Sequence, residues 1–319
     1  MMQHLFVTGG AGFIGSNVVD HLLDLGFQVT AYDNFSTGKK AFVSAAQKRA
    51  NFRLVQGDLL DEKHLATAMQ GCDFVFHLAA NADVRFGTEH PKKDLEQNTI
   101  ATFNVLESMR SNGIRRIAFS STGSVYGEAV QFPTPENSAF PIQTSLYAAS
   151  KLAGEGLITA YCEGFDFQCY IFRFVSILGE RYTHGHVFDF YRQLLAHPDE
   201  LHVLGNGKQR KSYLHIQDCL AAMMLAIDKS KEKVNLFNLG TDEYVEVIDS
   251  IACITALLKL NPRVTFAGGE RGWIGDNPFI FLDCSKIRQL GWEPRLSIRE
   301  GVVRTVQWLQ DNHWALEHT

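Results

Sequence analysis

A doubly wound α/β fold, in which helices cover both faces of a parallel sheet, is predicted for this chain by three observations. An apolar strand-like run from Leu5 to Val7 leads into TGGAGFIG (residues 8–15), which opens a segment with apolar positions at Ile14, Val18, Val19, Leu22 and Leu23. Residues 73–80, DFVFHLAA, are nearly all apolar, as expected of a parallel strand buried on both faces. Strand-like and helix-like segments alternate with short connections, the pattern of βαβ units.

Composition bounds the rest. With 319 residues, 45% hydrophobic and 20% charged, the chain is long enough for one large domain or two coupled ones. A net charge of -5 without basic clusters argues against a nucleic-acid partner. No apolar run approaches the ~20 residues that span a bilayer. The first residues run straight into a strand, leaving no room for a signal peptide, so no membrane partner and a cytoplasmic location are expected. Six cysteines are scattered without a CxxC pair and read as core residues. The HGH at His184 and His186 has no acidic or Cys partner in its pattern, and no metal site is predicted.

Taken in order, Gly9 or Gly10 lets the chain reverse, and Gly12 lets backbone N–H groups approach a pyrophosphate. Gly15 lets the helix pack closely. Phe13 and Ile14 stand in that helix's first turn, where its dipole favours an anion. Gly26 ends the helix, Gln28 to Tyr32 form a second strand, and Asp33 stands at its end, 18 residues past Gly15. A carboxylate there accepts hydrogen bonds from both ribose hydroxyls and repels a 2′-phosphate, so the cofactor is read as NAD rather than NADP. Asn34 opens a polar loop, and a short helix is expected over residues 41–49. A third strand, residues 52–55, leads to Gly57, Asp58 and Leu59; Asp58 either reaches an adenine amino group or caps the following helix. The strand within 73–80 ends in Leu78, Ala79 and Ala80, small enough to let a flat ligand lie against the backbone. An amphipathic helix over 94–112 and a strand over 116–121 follow. In such sheets ligands sit beyond the carboxyl ends of the strands, so these polar positions and Ser120 to Ser124 belong on one rim.

After a proline-rich excursion (Pro133, Pro135, Pro141), a helix starts near Ser145 and carries Tyr147 and Lys151, four apart and on one face. A phenol of pKa about 10 is a poor base at neutral pH. A neighbouring ammonium and an oxidised nicotinamide favour its phenolate, making Tyr147 a candidate general base, and Thr122 a hydroxyl that holds the reacting oxygen.

These residues together, TGGAGFIG, Asp33, HLAA, Asn98, SSTGSVYG and YAASK, resemble the extended short-chain dehydrogenase/reductase superfamily, within it the UDP-glucose 4-epimerase-like nucleotide-sugar epimerases and dehydratases. The resemblance covers essentially the whole chain. It implies a Rossmann-type doubly wound sheet with bound NAD, Lys151 touching the nicotinamide ribose, Tyr147 as base, Thr122 as its hydroxyl partner and Asn98 ordering the site. It also implies a smaller, discontinuous C-terminal α/β lobe for a nucleotide sugar, most simply a UDP-sugar. Ser124, Ser176, Lys211, Arg271 and Ile280 fall at substrate-lining positions of that family. Arg271 is the first choice for the diphosphate, since an Arg fork suits paired phosphate oxygens, with a surface ion pair as its other reading. Ser176 falls where many relatives have Asn, Lys211 where they often have Arg, and Ile280 where glucose-restricted relatives carry Tyr, so a 2-acetamido group has room.

The resemblance divides the chain into a cofactor domain, 1–175 joined by 214–239, and a substrate lobe, 176–213 with 240–319. It also implies a homodimer through a helical face formed by Leu95, Phe103, Val105, Leu106 and Met109 with Leu152, Leu157 and Tyr161; the other reading of those faces is burial against the chain's own sheet. Among reactions it favours epimerisation at C4. The family's 4,6-dehydratases carry Asp and Glu directly after the strand-end Thr, where this chain has Gly123 and Ser124. Glu128, just beyond, leaves an atypical elimination as the alternative, and a non-catalytic NAD-binding sensor as a third reading.

Overall fold

Seven parallel strands carry the fold of this chain, here a computed structural model describing residues 3–138, 142–273, 275–277 and 279–316. Pro141 of the proline-rich excursion and Ile274 of the ERGWIGD stretch lie outside the described residues. In chain order the first strands are β1 (His4–Thr8), β2 (Gln28–Asp33), β3 (Phe52–Gln56), β4 (Phe74–His77), β5 (Arg116–Thr122) and β6 (Gln168–Phe174). Across the sheet the order is β3, β2, β1, β4, β5, β6 and then Val234–Leu239, a strand recruited from far along the chain, with every pairing parallel. The order reverses between β1 and β4, which opens a crevice at their carboxyl ends.

Alternation along each strand feeds two cores. Val7, Phe76, Ala118 and Phe172 face one apolar cluster, and Phe6, Val75, Phe119 and Ile171 the other. Both sheet faces are therefore dry, which is why β4 is buried along its whole length. The first cluster continues through Leu214 and Phe188 to Val302, so the C-terminal segments share the sheet's core. They add a pair of strands, Ser176–Leu178 with Tyr213–His215, and a three-stranded sheet in which Ile280 lies beside Lys211.

Several expectations are corrected. The short helix over 41–49 is two 3₁₀ turns, Lys40–Val43 and Ala46–Lys48. The helix over 94–112 is broken: Pro91–Asp94 is α, Leu95–Ile100 is a π-helical turn, and Ala101–Ser111 is α again. Such turns frequently mark functional sites. The helix after β3, α2 (Glu62–Ala68), is capped by Asp61, which accepts the His64 amide at 3.1 Å, and not by Asp58. Of the face assigned to a helical bundle, Val105, Leu106 and Met109 are fully buried within the chain and Tyr161 nearly so; Leu95 and Phe103 remain exposed, joined by Ile100. No helix among the described residues is long and apolar enough to cross a membrane, and no group of three or more His, Cys, Asp or Glu among them forms a metal-binding cluster.

His77, at the end of β4, shows how tightly the floor of the crevice is built. Thr102 donates its hydroxyl to the Asn98 carbonyl at 2.5 Å and so accepts from His77 Nε2 at 2.9 Å. Thr8, whose oxygen accepts the Leu78 and Ala79 amides at 3.1 and 3.2 Å, donates to His77 Nδ1 at 2.8 Å. The bonding pattern assigns the neutral Nε2–H tautomer. Burial, then the Lys151 charge, pushes the imidazole down to about 3 from 6.5. Above pH 6.5 the unfolded chain leaves this histidine neutral as well, so its contribution to stability is fully present; it is lost as the pH falls toward 3, because only the unfolded chain then takes up the proton. Stability is expected to fall by up to about 1.4 kcal/mol per pH unit in that window from this residue, a slope that denaturant titrations should find reduced in His77→Gln.

Candidate active site

At the end of β1, Gly9 takes φ +67° and turns the chain, so of the two candidates Gly9 makes the reversal. A Cβ there would stand 2.8 Å from the Ala79 nitrogen and Cα, because Leu78 and Ala79 close directly over it. Gly10 is needed for a different reason: its Cβ would meet the Ala31 Cβ at 2.6 Å. A Cβ on Gly15 would collide with the Gly9 carbonyl, so Gly15 packs against the turn itself. Helix α1 (Phe13–Asp24) begins behind Gly12, which has no capping side chain, and the first-turn amides around Phe13 and Ile14 are available to an anion.

Asp33 ends β2 with its carboxylate held by two backbone amides, Ala11 at 2.9 Å and Phe35 at 2.7 Å. Burial raises its pKa, and those two bonds oppose the rise. Sequence reasoning missed Gly38, whose absent Cβ would stand 2.9 Å from Asp33 Oδ1; here the loop after Asn34 folds back, with the Lys39 amide on the Ala11 carbonyl at 2.9 Å. Asn34 donates to Asp58 Oδ2 at 2.9 Å, while Asp58 Oδ1 accepts the Leu60 amide at 2.9 Å, so Asp58 closes a side-chain turn at the rim. The Leu59 carbonyl accepts from Asn104 at 2.9 Å, and its side chain is buried. An anion-binding turn, a helix N-terminus and a pinned carboxylate thus meet around the crevice, and these residues fit a dinucleotide.

Beside the crevice lies the Leu146–Phe165 helix, started by Ser145, whose hydroxyl accepts the Ala148 amide at 3.1 Å. Gly154 lets it approach β5, since a Cβ there would touch the Phe119 ring at 3.0 Å. Lys151 is buried, with Nζ 4.7 Å from the centre of that ring and donating to the Ser120 carbonyl at 2.8 Å. Tyr147 is partly buried and hydrogen-bonded with Thr122, whose oxygen also accepts the Ser124 amide at 3.1 Å. Burial pushes the Tyr147 phenol up to about 12, against the Thr122 bond, and the Asp94 charge adds to the rise. The expected depression by Lys151 does not act on the phenol here; the ammonium bonds the Ser120 carbonyl instead.

Asn98 does not face the crevice. It is buried in the π-helical turn, donating to Ser150 Oγ at 2.9 Å and accepting the Asn81 amide at 2.8 Å, so it ties the loop after β4 to the residue before Lys151. Sequence reasoning gave it an ordering role without finding Asn81 or Ser150; the π turn that aims it has no local sequence signal.

Across the cleft, Ser176 is exposed at the start of its strand. Ile280 packs on Gly123: a Cβ on that glycine would stand 2.8 Å from Ile280 Cγ2 and 3.3 Å from Leu282 Cδ2. Arg271 is half-exposed, donating to the Asp276 carbonyl at 2.9 Å and paired with Glu128, so its ion-pair reading also holds. Lys211 is committed elsewhere. Its Nζ bonds Asp276 Oδ1 at 2.7 Å and the Asn277 carbonyl at 2.8 Å, and so braces the loop that carries Arg271. His186 is a packed residue with Nδ1 at 2.7 Å from the Tyr213 hydroxyl.

A dinucleotide cradle at the switch point, flanked by a Tyr and a Lys one helical turn apart, defines an NAD-dependent enzyme of the dehydrogenase/reductase type. Comparison with known proteins narrows the class: residues 5–240 match the NAD dependent epimerase/dehydratase family, and the chain belongs to it. It is 30% identical over 307 residues to the UDP-glucose 4-epimerase of Corynebacterium glutamicum, covering 91% of this chain and 90% of that one. A crystal structure of a UDP-galactose 4-epimerase superposes with a TM-score of 0.88 at 35% identity, covering 98% and 100% of the two chains. The Bacillus cereus UDP-glucuronic acid 4-epimerase, solved with UDP-glucuronic acid and NAD, gives 0.88 at 25% identity over 97% and 99%.

Proposed function

We propose that the chain epimerises a UDP-sugar at C4, with UDP-glucose or UDP-N-acetylglucosamine as substrate. When bound, NAD supplies transient oxidation of C4 and returns hydride to the opposite face. Tyr147 takes the proton of the 4-hydroxyl and gives it back, while Thr122 holds the reacting oxygen. Lys151 orients the ribose and, when charged, favours the phenolate. The cradle from Gly9 to Gly15, with Asp33, Asn34, Asp58, Leu59, Leu78, Ala79, Ala80 and Ser120, encloses the cofactor. Arg271 exchanges Glu128 for the diphosphate, and Ser124 and Ser176 line the sugar.

One observation carries epimerisation over elimination: Gly123, directly after Thr122, is covered by Ile280 and Leu282, so no acidic side chain fits at that position. Glu128, five residues past Gly123, pairs with Arg271 in the substrate-free chain, and its release on diphosphate binding is what an elimination would need. The same Ile280 leaves room for a 2-acetamido group. We place the division between cofactor domain and substrate lobe at residue 175, with 214–239 belonging to the first. The exposed Leu95, Ile100 and Phe103 suit a second copy of the chain; sedimentation at the single-chain mass of 35.8 kDa would contradict a homodimer.

The test is incubation of purified protein, without added cofactor, with each UDP-sugar while proton NMR follows the anomeric signal. The galacto epimer should appear from at least one of them. Loss of water instead would favour elimination, and retained cofactor with no turnover on any nucleotide sugar the sensor reading.

A further inference from the structure

Successive turns on one face of the Leu146–Phe165 helix grip successive residues at the end of β5. Tyr147 is bonded with Thr122, Lys151 with the Ser120 carbonyl, and Glu155, the next residue on that face, accepts the Ser121 hydroxyl. Glu155 is buried and has no part in the proposed chemistry. Its oxygens also take Arg173 on β6, Nε at 3.0 Å and Nη2 at 2.6 Å. Arg173 stacks 4.6 Å from the centre of the Tyr126 ring and donates to the Glu136 carbonyl at 3.3 Å. Tyr126 donates to Asn238 at 2.9 Å, and the Asn238 amide donates to the Thr134 carbonyl at 2.9 Å and the Asp283 carbonyl at 3.1 Å. One bonded chain therefore links the helix, both strand ends, the loop after Thr122 and the segment that follows Ile280.

Desolvating two charges is expensive, and a buried ion pair often stabilises a fold no better than apolar residues of the same size, so its presence beneath these groups calls for another role. We infer that Glu155 and Arg173 are a positioning pair of the active site: they hold Ser121, and with it Thr122, in register with Tyr147, and Glu155 supplies buried negative charge one helical turn from Lys151. This rests on the roles proposed for Tyr147, Lys151 and Thr122. The charges acting on Lys151 are Glu155 on its own helix and Asp94 before the π-helical turn; β4 presents the neutral His77, on which the Lys151 charge acts, Tyr147 lies one turn earlier on the same helix, and β5 presents Phe119 and the Ser120 carbonyl. Burial pushes the ammonium down to about 7, and Glu155 is the larger of the two charges that oppose the fall.

Glu155→Gln keeps the shape and removes the charge. In the cofactor-free protein, NMR titration of lysines labelled at Cε, with Lys151→Met assigning the signal, should show the Lys151 midpoint lowered by about a unit or more. The kcat should fall about tenfold or more with KM nearly unchanged, and Glu155→Asp should restore the midpoint but not the full kcat, its shorter arm failing to reach both Ser121 and Arg173. An unmoved midpoint in folded Glu155→Gln overturns the inference. If that variant does not fold, Ser121→Ala keeps the ion pair and releases the strand end; kcat should then fall with the Lys151 midpoint unmoved, and an unchanged kcat overturns the inference. The titration needs no substrate, so wild-type silence on every sugar would count against the epimerase reading and leave the charge test readable.

Discussion

Tyr147→Phe should lower kcat by about 10³-fold or more while leaving NAD binding and the fold intact, because it removes the group proposed to move the substrate proton. The phenol is bonded with Thr122, and that threonine keeps its bond from the Ser124 amide when the phenol is gone. Loss of one partly buried hydrogen bond costs about 0.5–1.5 kcal/mol, too little to unfold the chain. Thermal unfolding and calorimetric titration with NAD measured beside turnover separate the two effects. Residual kcat within about tenfold of wild type would remove Tyr147 from the base role, since general-base catalysis is worth about 10²–10⁴. Its pKa in the cofactor-free chain, pushed up to about 12, also predicts how the base is switched on. Positive charge must join the site before the phenol ionises near neutrality, which an oxidised nicotinamide and a charged Lys151 supply together.

Gly15→Ala should abolish measurable NAD binding and destabilise the chain by about 1–3 kcal/mol, the usual range for forcing atoms into a packed region. A Cβ at Gly15 would overlap the Gly9 carbonyl and stand 2.7 Å from its carbon, and backbone cannot swing aside as a long side chain can. The turn at Gly9 is itself wedged against Ala79, so it has nowhere to retreat. Gly156→Ala is the matched control. That glycine lies in the interior of the Leu146–Phe165 helix with nothing within 4 Å of its Cβ position, and alanine there should raise stability by about 0.5–1 kcal/mol. Calorimetric titration with NAD and denaturant unfolding check both; wild-type affinity in Gly15→Ala would mean the loop does not bind as described.

What was legible in the sequence was whatever local pattern dictates. The strand within 73–80 was visible because both its faces are dry, and Asp33 because a fixed spacing places it at the end of β2. Residues 214–239 were joined to the cofactor domain by the resemblance, and Val234–Leu239 forms the sheet edge beside β6. The failures share a different cause, since they turn on which distant polar group a side chain finds. Asp58 lost its capping role to Asp61, three residues on, because both are acidic and only the fold decides which meets the His64 amide. Lys211 reads as a phosphate ligand until Asp276 and the Asn277 carbonyl are seen to occupy its ammonium. Val105, Leu106 and Met109 belong to an amphipathic helix whose apolar side serves the chain's own sheet, which periodicity alone does not distinguish from a face kept for a partner. The π-helical turn around Asn98 follows no period read from sequence, and it is what turns that amide toward Ser150.

In the proposed reaction hydride leaves and returns to the same carbon while Tyr147 carries only the proton. Incubation with a UDP-sugar deuterated at C4, without added cofactor, tests it most directly. The galacto epimer should form with the deuterium still at C4, and Tyr147→Phe should form it about 10³-fold more slowly or not at all. Epimer with hydrogen at C4, or loss of water in place of inversion, would contradict it.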